Sequence, residues 1–161
     1  MKIMKRDNNL ETLSWEHHDG LVVAYRVEKG LGNGTHPKIM VEYLLHIWDH
    51  VLQHHFWQEE QTIKPHLQHT KDGEKLINQM LEEHTTFKNM IEKLYHKDGD
   101  QRTILSEFAQ RLNRHIRFEE RQLFPIAEEI IPNDKMIQIG KFLHEQHRPG
   151  NKERDPKFWK D

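Results

Sequence analysis

His55-Phe56-Trp57-Gln58-Glu59-Glu60-Gln61-Thr62-Ile63-Lys64-Pro65 and, 60 residues later, His115-Ile116-Arg117-Phe118-Glu119-Glu120-Arg121-Gln122-Leu123-Phe124-Pro125 are two copies of one phrase, H-x-x-x-E-E-x-x-x-x-P. Residues i and i+4 of an α-helix project from the same face, one turn apart. Each copy therefore aims an imidazole and a carboxylate in one direction. Two such helices facing each other enclose a nest of nitrogen and oxygen donors.

The flanking sequence supplies helices to carry the phrases. Residues 1–9 read as a polar arm. From Leu10 to Lys29 the apolar residues follow a helical period, with Leu10, Leu13, Leu21, Ala24 and Leu31 on one stripe. His17 points to the middle of that stripe and His18 to its edge. Gly30-Leu31-Gly32-Asn33-Gly34 is expected to break the helix. Thr35 then serves as N-cap, with Pro37 in the first turn, for a second helix running to about Lys64. Its stripe holds Val41, Leu44, Trp48, Val51, Leu52, His55 and Glu59, and it turns His46, His50 and His54 away. Pro65 to Gly73 reads as a loop.

A third helix spans Glu74 to His96, with Ile77, Met80, Leu81, Phe87, Ile91 and Tyr95 on its stripe and His84 in the middle. Asp100 is the expected N-cap of a fourth helix from Gln101 to Ile130, whose stripe is Ile104, Phe108, Leu112, His115, Glu119 and Ile126. Glu60 and Glu120 project off their stripes, either into solvent or behind the ligands. Pro125 is expected to kink the end of the fourth helix. A shorter helix over Lys135–His147 and a loosely ordered tail come next, with Phe158-Trp159 as its one anchor. His144 and His147 read as surface residues, with capping of the site as the lesser alternative. The fold class is thus all-α: an up-down-up-down four-helix bundle with a short C-terminal helix and tail. The chain reads as one domain over 1–161, with the bundle core at about 10–131 and an extension over 132–161.

On that scaffold the two phrases acquire company. Counting residues from the helix ends at 1.5 Å each, His17, His55, His84 and His115 fall within roughly 12 Å of one level. Every helix contributes one histidine there, and Glu59 and Glu119 contribute carboxylates. Four imidazoles and two carboxylates buried without a cation would be costly to desolvate.

Composition narrows what such a centre does. With 24 Lys plus Arg against 26 Asp plus Glu, there is no basic footprint for nucleic acid or an anionic membrane. No apolar run is long enough to span a bilayer, and the N-terminus lacks the apolar stretch of a secretory signal. A cytoplasmic protein is expected. Cysteine is absent, which excludes disulfides and thiolate-ligated zinc or iron–sulfur sites. Histidine, in contrast, occurs 14 times, scattered rather than contiguous as in a tag. Imidazole and carboxylate without thiolate suit iron, manganese or zinc. Four nitrogens and four carboxylate oxygens exceed what one tetrahedral zinc takes, and fall short of what two six-coordinate ions take. A bridging oxide or hydroxide and an open position or two would complete the set.

The spacing resembles the hemerythrin-like, or HHE cation-binding, domain family. The matching phrases are Leu13-Ser14-Trp15-Glu16-His17-His18-Asp19-Gly20-Leu21, His55-x-x-x-Glu59-Glu60, Leu81-Glu82-Glu83-His84 and His115-Ile116-x-x-Glu119-Glu120-x-x-Leu123-Phe124-Pro125, over residues 10–130. The resemblance implies a non-haem di-iron centre, two oxo- or hydroxo-bridged Fe ions, with Zn or Mn as alternatives. It assigns His17 (or His18), His55, Glu59, His84, His115 and Glu119 as ligands. The oxygen-carrying members place a second histidine one turn after that of the third helix, where this chain has Lys88. They place an aspartate five residues after the fourth-helix histidine, where this chain has Glu119 at four. The pattern is therefore closer to the broader branch that includes sensors and iron–sulfur repair proteins. Binding of O2 or a related small oxidant for sensing, storage or buffering is the leading functional expectation. The alternative is a di-iron enzyme acting on NO or peroxide, or an iron-donating repair protein. Neither nucleic acid nor membrane is an expected partner, and a homodimer is left open.

Overall fold

A computed structural model describes residues 5–149 and 151–161, and among them every regular element is helical. A 3-10 turn, Asn8–Leu10, leads into α1 (Glu11–Gly32). The next rod is α2 (Pro37–Ile47), a π-helical turn Trp48–Leu52, and α3 (Gln53–Leu67) without interruption. α4 (Glu74–Tyr95) stands alone. The last long rod is α5 (Gln101–Phe118), a second π turn Glu119–Leu123, and α6 (Phe124–Ile130), and α7 (Asn133–Gln146) closes the series. α1 lies along α5, which also packs on α4, while α7 covers the Asn8–Leu10 turn and α3. Among the described residues no helix is long and apolar enough to cross a membrane.

The elements arise from local chemistry, with five departures from the expected pattern. α1 runs through Gly30 and ends at Gly32, and Gly34 takes the positive φ of +72° that the turn requires. His36, not Thr35, caps α2, its Nδ1 accepting from the Lys38 N–H at 3.2 Å. α3 continues past Pro65 to Leu67, and Tyr95, expected on the inner stripe of α4, is exposed. The fifth departure is the π turns. The Gln53 N–H bonds to Trp48 O and the Phe124 N–H to Glu119 O, each five residues back. One extra residue per turn rotates the rest of the rod by about 100°. Beyond Glu119 the inner face therefore passes to Leu123, Phe124 and Ala127 instead of Ile126.

The core has two apolar halves. One gathers Val23, Ala24 and Val27 with Leu44, Ile47, Phe56, Phe87, Leu112 and Ile116. The other gathers Leu10 and Leu13 with Ile63, Leu67, Ile77, Met80, Leu123 and Phe124. Between them lies a buried polar layer of His17, His55, Gln58, Glu59, His84, His115 and Glu119.

Residues 1–4 of the expected polar arm lie outside the described residues, but Arg6 is anchored, and the tail expected to be loosely ordered is anchored too. Arg6 pairs with Glu128, donates to Glu120 O at 2.7 Å and lies 5.2 Å from the centre of the Phe124 ring. After α7 the chain returns along α1 and α2 as an irregular strap. Lys152 pairs with Asp19 at 2.7 Å, and Arg26 reaches Lys152 O, Glu153 and the Trp159 ring face. Phe158 packs edge-on against Tyr43 and occupies the space above Gly30. A Cβ at Gly30 would lie 2.5 Å from Phe158 Cδ2 and 2.9 Å from Met40 Sδ. Alanine would gain ~1 kcal/mol of helix propensity there against an overpacking cost of ~1–3 kcal/mol. The strap, which has no regular secondary structure of its own, is the part that gives. Gly30→Ala should therefore expose residues 147–161 to limited proteolysis while the helices stay folded. Unchanged protection of the strap would show that the glycine slot does not hold it.

Candidate metal centre

Each long rod brings one histidine to the polar layer: His17 from α1, His55 from α3, His84 from α4 and His115 from α5. His18, its neighbour in sequence, is exposed. Glu59 lies one turn beyond His55, and Glu119 one turn beyond His115 at the entry to the second π turn. Both carboxylates have no solvent exposure at all. The six side chains form two overlapping donor sets, His17–His55–Glu59–Glu119 and Glu59–His84–His115–Glu119, each with its ligand atoms within 4.8 Å of one another.

The imidazoles are oriented from outside. Glu120 accepts from His17 Nδ1 at 2.6 Å, Glu16 from His55 at 2.7 Å, Glu60 from His84 at 3.0 Å and Glu83 from His115 at 2.6 Å. An ionised carboxylate only accepts, so each Nδ1 carries the proton and each Nε2 faces inward. The donors run in a cycle. The α1 glutamate holds the α3 histidine, that of α3 holds α4, that of α4 holds α5, and the one after α5 returns to α1. All four glutamates sit beside a cluster residue in sequence, in the pairs Glu16-His17, Glu59-Glu60, Glu83-His84 and Glu119-Glu120. Adjacent helical residues diverge by about 100°, so such a neighbour reaches the next helix rather than the centre. Stripe position leaves Glu60 and Glu120 open between solvent and a place behind the ligands, and marks nothing at Glu16 or Glu83. The repeated acidic neighbour is the signal in the sequence that points to them.

Whether a cation fits can be judged from what the centre leaves unmade. The Nε2 atoms of His55, His84 and His115, both oxygens of Glu59 and Oε2 of Glu119 are buried without a hydrogen-bond partner. They face one another: His55 Nε2 to Glu59 at 3.3 Å, His84 Nε2 to Glu59 at 3.2 Å and His115 Nε2 to Glu119 at 3.3 Å. Only His17 Nε2 makes a short contact, 2.8 Å to Glu119. Orphaned donors of this number would cost several kcal/mol in an apolar core unless a shared partner satisfies them. Bound cations are such a partner, and the nitrogen and oxygen set suits them.

The charge balance points the same way. Burial lowers the pKa of His55, but the Glu59 and Glu16 carboxylates outweigh it and raise it to about 9. For His115 burial is likewise overcome by Glu119 and Glu83, and the value reaches about 10. His17 is raised well above its usual value and His84 is raised, against burial, by the same central carboxylates. Burial pushes the Glu59 carboxyl up, yet the surrounding imidazoles hold it well below the usual range. The centre demands positive charge, and in the absence of metal the imidazoles supply it as protons.

Phe56 stacks on His84 at 4.1 Å and Phe124 on His17 at 5.2 Å, closing the layer above and below. Lys88 is exposed. It lines a groove of about 320 Å³ with Trp48, Gln53, Phe56, Trp57, Glu60 and the outer edge of His84.

A family model described as Hemerythrin HHE cation binding domain matches residues 10–127, which include all six cluster residues and stop short of α7. Neither curated proteins nor solved structures gave a match.

Metal-free protein should reveal the charge balance in its stability. The His55 and His115 values lie above the free imidazole value of 6.5. Their pairing with the carboxylates therefore stabilises the fold fully below pH 6.5 and is lost as pH rises through about 9 to 10. The thermal midpoint of chelator-treated protein should fall between about pH 7 and pH 10. A flat profile over that range would contradict the paired state.

Proposed function

The chain belongs to the hemerythrin HHE cation-binding domain family, and from that premise we propose that its buried layer holds two metal ions, preferentially iron, to bind O2 or a related small oxidant. The reading includes His17, His55, Glu59, His84, His115 and Glu119 as the ligands. It takes the whole chain as one domain. One observation carries it: two four-residue donor sets share Glu59 and Glu119, and their inward atoms are largely without other partners. Two shared carboxylates with two private imidazoles on each side suit a pair of ions better than one.

The order in which the rods cross the core supports an up-down-up-down arrangement. α1 passes from the Leu10–Leu13 half to the Val23–Val27 half, and the α2–α3 rod returns from Leu44 to Ile63. α4 then runs from Ile77 to Phe87, and the α5–α6 rod from Leu112 to Phe124.

An iron pair held by these residues would supply reversible electron exchange and a position at which a diatomic or anionic ligand could bind. The protein's own groups prepare that position. Glu59 and Glu119 offset the cation charge, and the cycle of Glu120, Glu16, Glu60 and Glu83 fixes the ring planes. Phe56 and Phe124 keep bulk water from the layer. The four outer glutamates are all engaged with imidazoles, so none stands free as an acid or base, which favours binding over catalysis. The enzyme reading, turnover of NO or peroxide, draws on one feature: the Lys88 ammonium at the groove beside His84 could hold an anion.

Metal analysis of freshly purified protein, with its visible spectrum, tests the reading. About two irons per chain are expected, with charge-transfer bands that change reversibly with O2. Glu59→Ala and Glu119→Ala should each reduce metal content below that of the parent, since both donor sets lose a shared ligand. Repeated turnover of NO or peroxide would favour the enzyme. A colourless zinc protein would overturn both redox readings.

A further inference from the structure

We propose that His147 is a positioning residue for one half of the metal centre, acting through Glu16 on His55. The inference rests on the two-metal reading above, and it concerns a residue outside the matched stretch 10–127.

Glu16 differs from the other glutamates of the outer cycle. The side chains of Glu60, Glu83 and Glu120 keep 34%, 29% and 29% of their surface in solvent, so water can replace a lost partner. Glu16 keeps 8%. Its lone pairs must be met by protein. Oε1 accepts from His55 Nδ1 at 2.7 Å and from Gln58 Nε2 at 2.9 Å. Oε2 accepts from His147 Nδ1 at 2.8 Å. A carboxylate held at both oxygens cannot turn about its own axis, so the plane that His55 meets is set partly from outside the bundle.

His147 is itself well placed to exert that control. Its backbone N–H closes the end of α7 on Leu143 O at 2.9 Å, and the edge of its ring faces Trp15. The strap beyond it is anchored by Lys152 on Asp19, two residues from His17. His55 belongs only to the donor set with His17; the set with His84 and His115 does not contain it. Loss of the His147 donor would thus loosen one metal position and spare the other. Partners that orient a ligand from outside typically contribute about 10–100-fold in metal affinity.

The test is a Zn(II) titration of metal-stripped protein against a competing chelator, paired with imidazole nitrogen NMR of the metal-free state. In His147→Ala one of two binding steps should weaken about 10–100-fold while the other holds. The His55 Nδ1–H resonance should shift or broaden, with those of His84 and His115 unmoved. His147→Asn, whose amide nitrogen occupies the place of Nδ1, should restore both. Equal weakening of the two steps, no weakening, or failure of asparagine to rescue would overturn the proposal. If the parent binds fewer than two ions, the two-metal reading fails. The metal-free spectra then still decide whether His147 fixes His55, and an unmoved His55 resonance rejects it.

Discussion

Two carboxylates, Glu59 and Glu119, sit at the middle of a helical core with no exposed surface. Anions in such a place are tolerated only among compensating charges and donors. Much of the architecture answers that requirement. Each long rod contributes one imidazole. Each imidazole is polarised from behind by a further glutamate whose remaining lone pairs reach solvent or a polar side chain. Negative charge is thus layered around positive, and the apolar core divides into two halves to make room. Under the proposed metal reading, imidazolium protons and metal cations would compete for the same inward positions, which would link acidity, stability and metal content in one equilibrium.

The two H-x-x-x-E-E-x-x-x-x-P phrases are equal in sequence and unequal in structure. After Glu119 the helix widens into a π turn, and Pro125, which has no N–H to donate, lies just beyond it in α6. After Glu59 the helix stays α, with Pro65 near its end, and the π turn comes earlier, at Trp48–Leu52. Both insertions lie next to the polar layer, one just before His55 and one starting at Glu119. An extra residue there lets the same rod present polar groups at one level and apolar groups at the next without breaking.

Most of the frame was legible because strong helical periodicity and turn residues mark the rods, and because the repeated phrase marks the centre. Stripe position favoured His17 over His18 for the inner face without deciding between them, and the structure buries His17 and exposes His18. The features that escaped depend on geometry that a fixed 100° per residue does not carry. Ile126 and Tyr95 fall inward only when a regular helix is extrapolated, past a π turn in one case and to the last residue of α4 in the other. Gly30 looks like a helix breaker, yet its missing side chain serves Phe158 across the structure. Glu16 and Glu83 lie off the inner stripe, so their roles emerge only once neighbouring helices are side by side. The strap has a polar, Pro- and Gly-containing composition that suggests disorder. Its anchors, Lys152, Phe158 and Trp159, depend on partners more than a hundred residues distant.

The Glu16–His147 bond joins positions 131 apart in the sequence. A nascent chain emerges from its N-terminus, and contacts of such separation form late because a long loop must close first. All six inward donors are already synthesised by the time residue 119 has been added. For a further stretch of translation, a growing chain would therefore offer a cation the six donors with His55 steered by Glu16 and Gln58 alone. On the proposed two-metal reading, metal capture and the final tightening of the centre would be separable events in time.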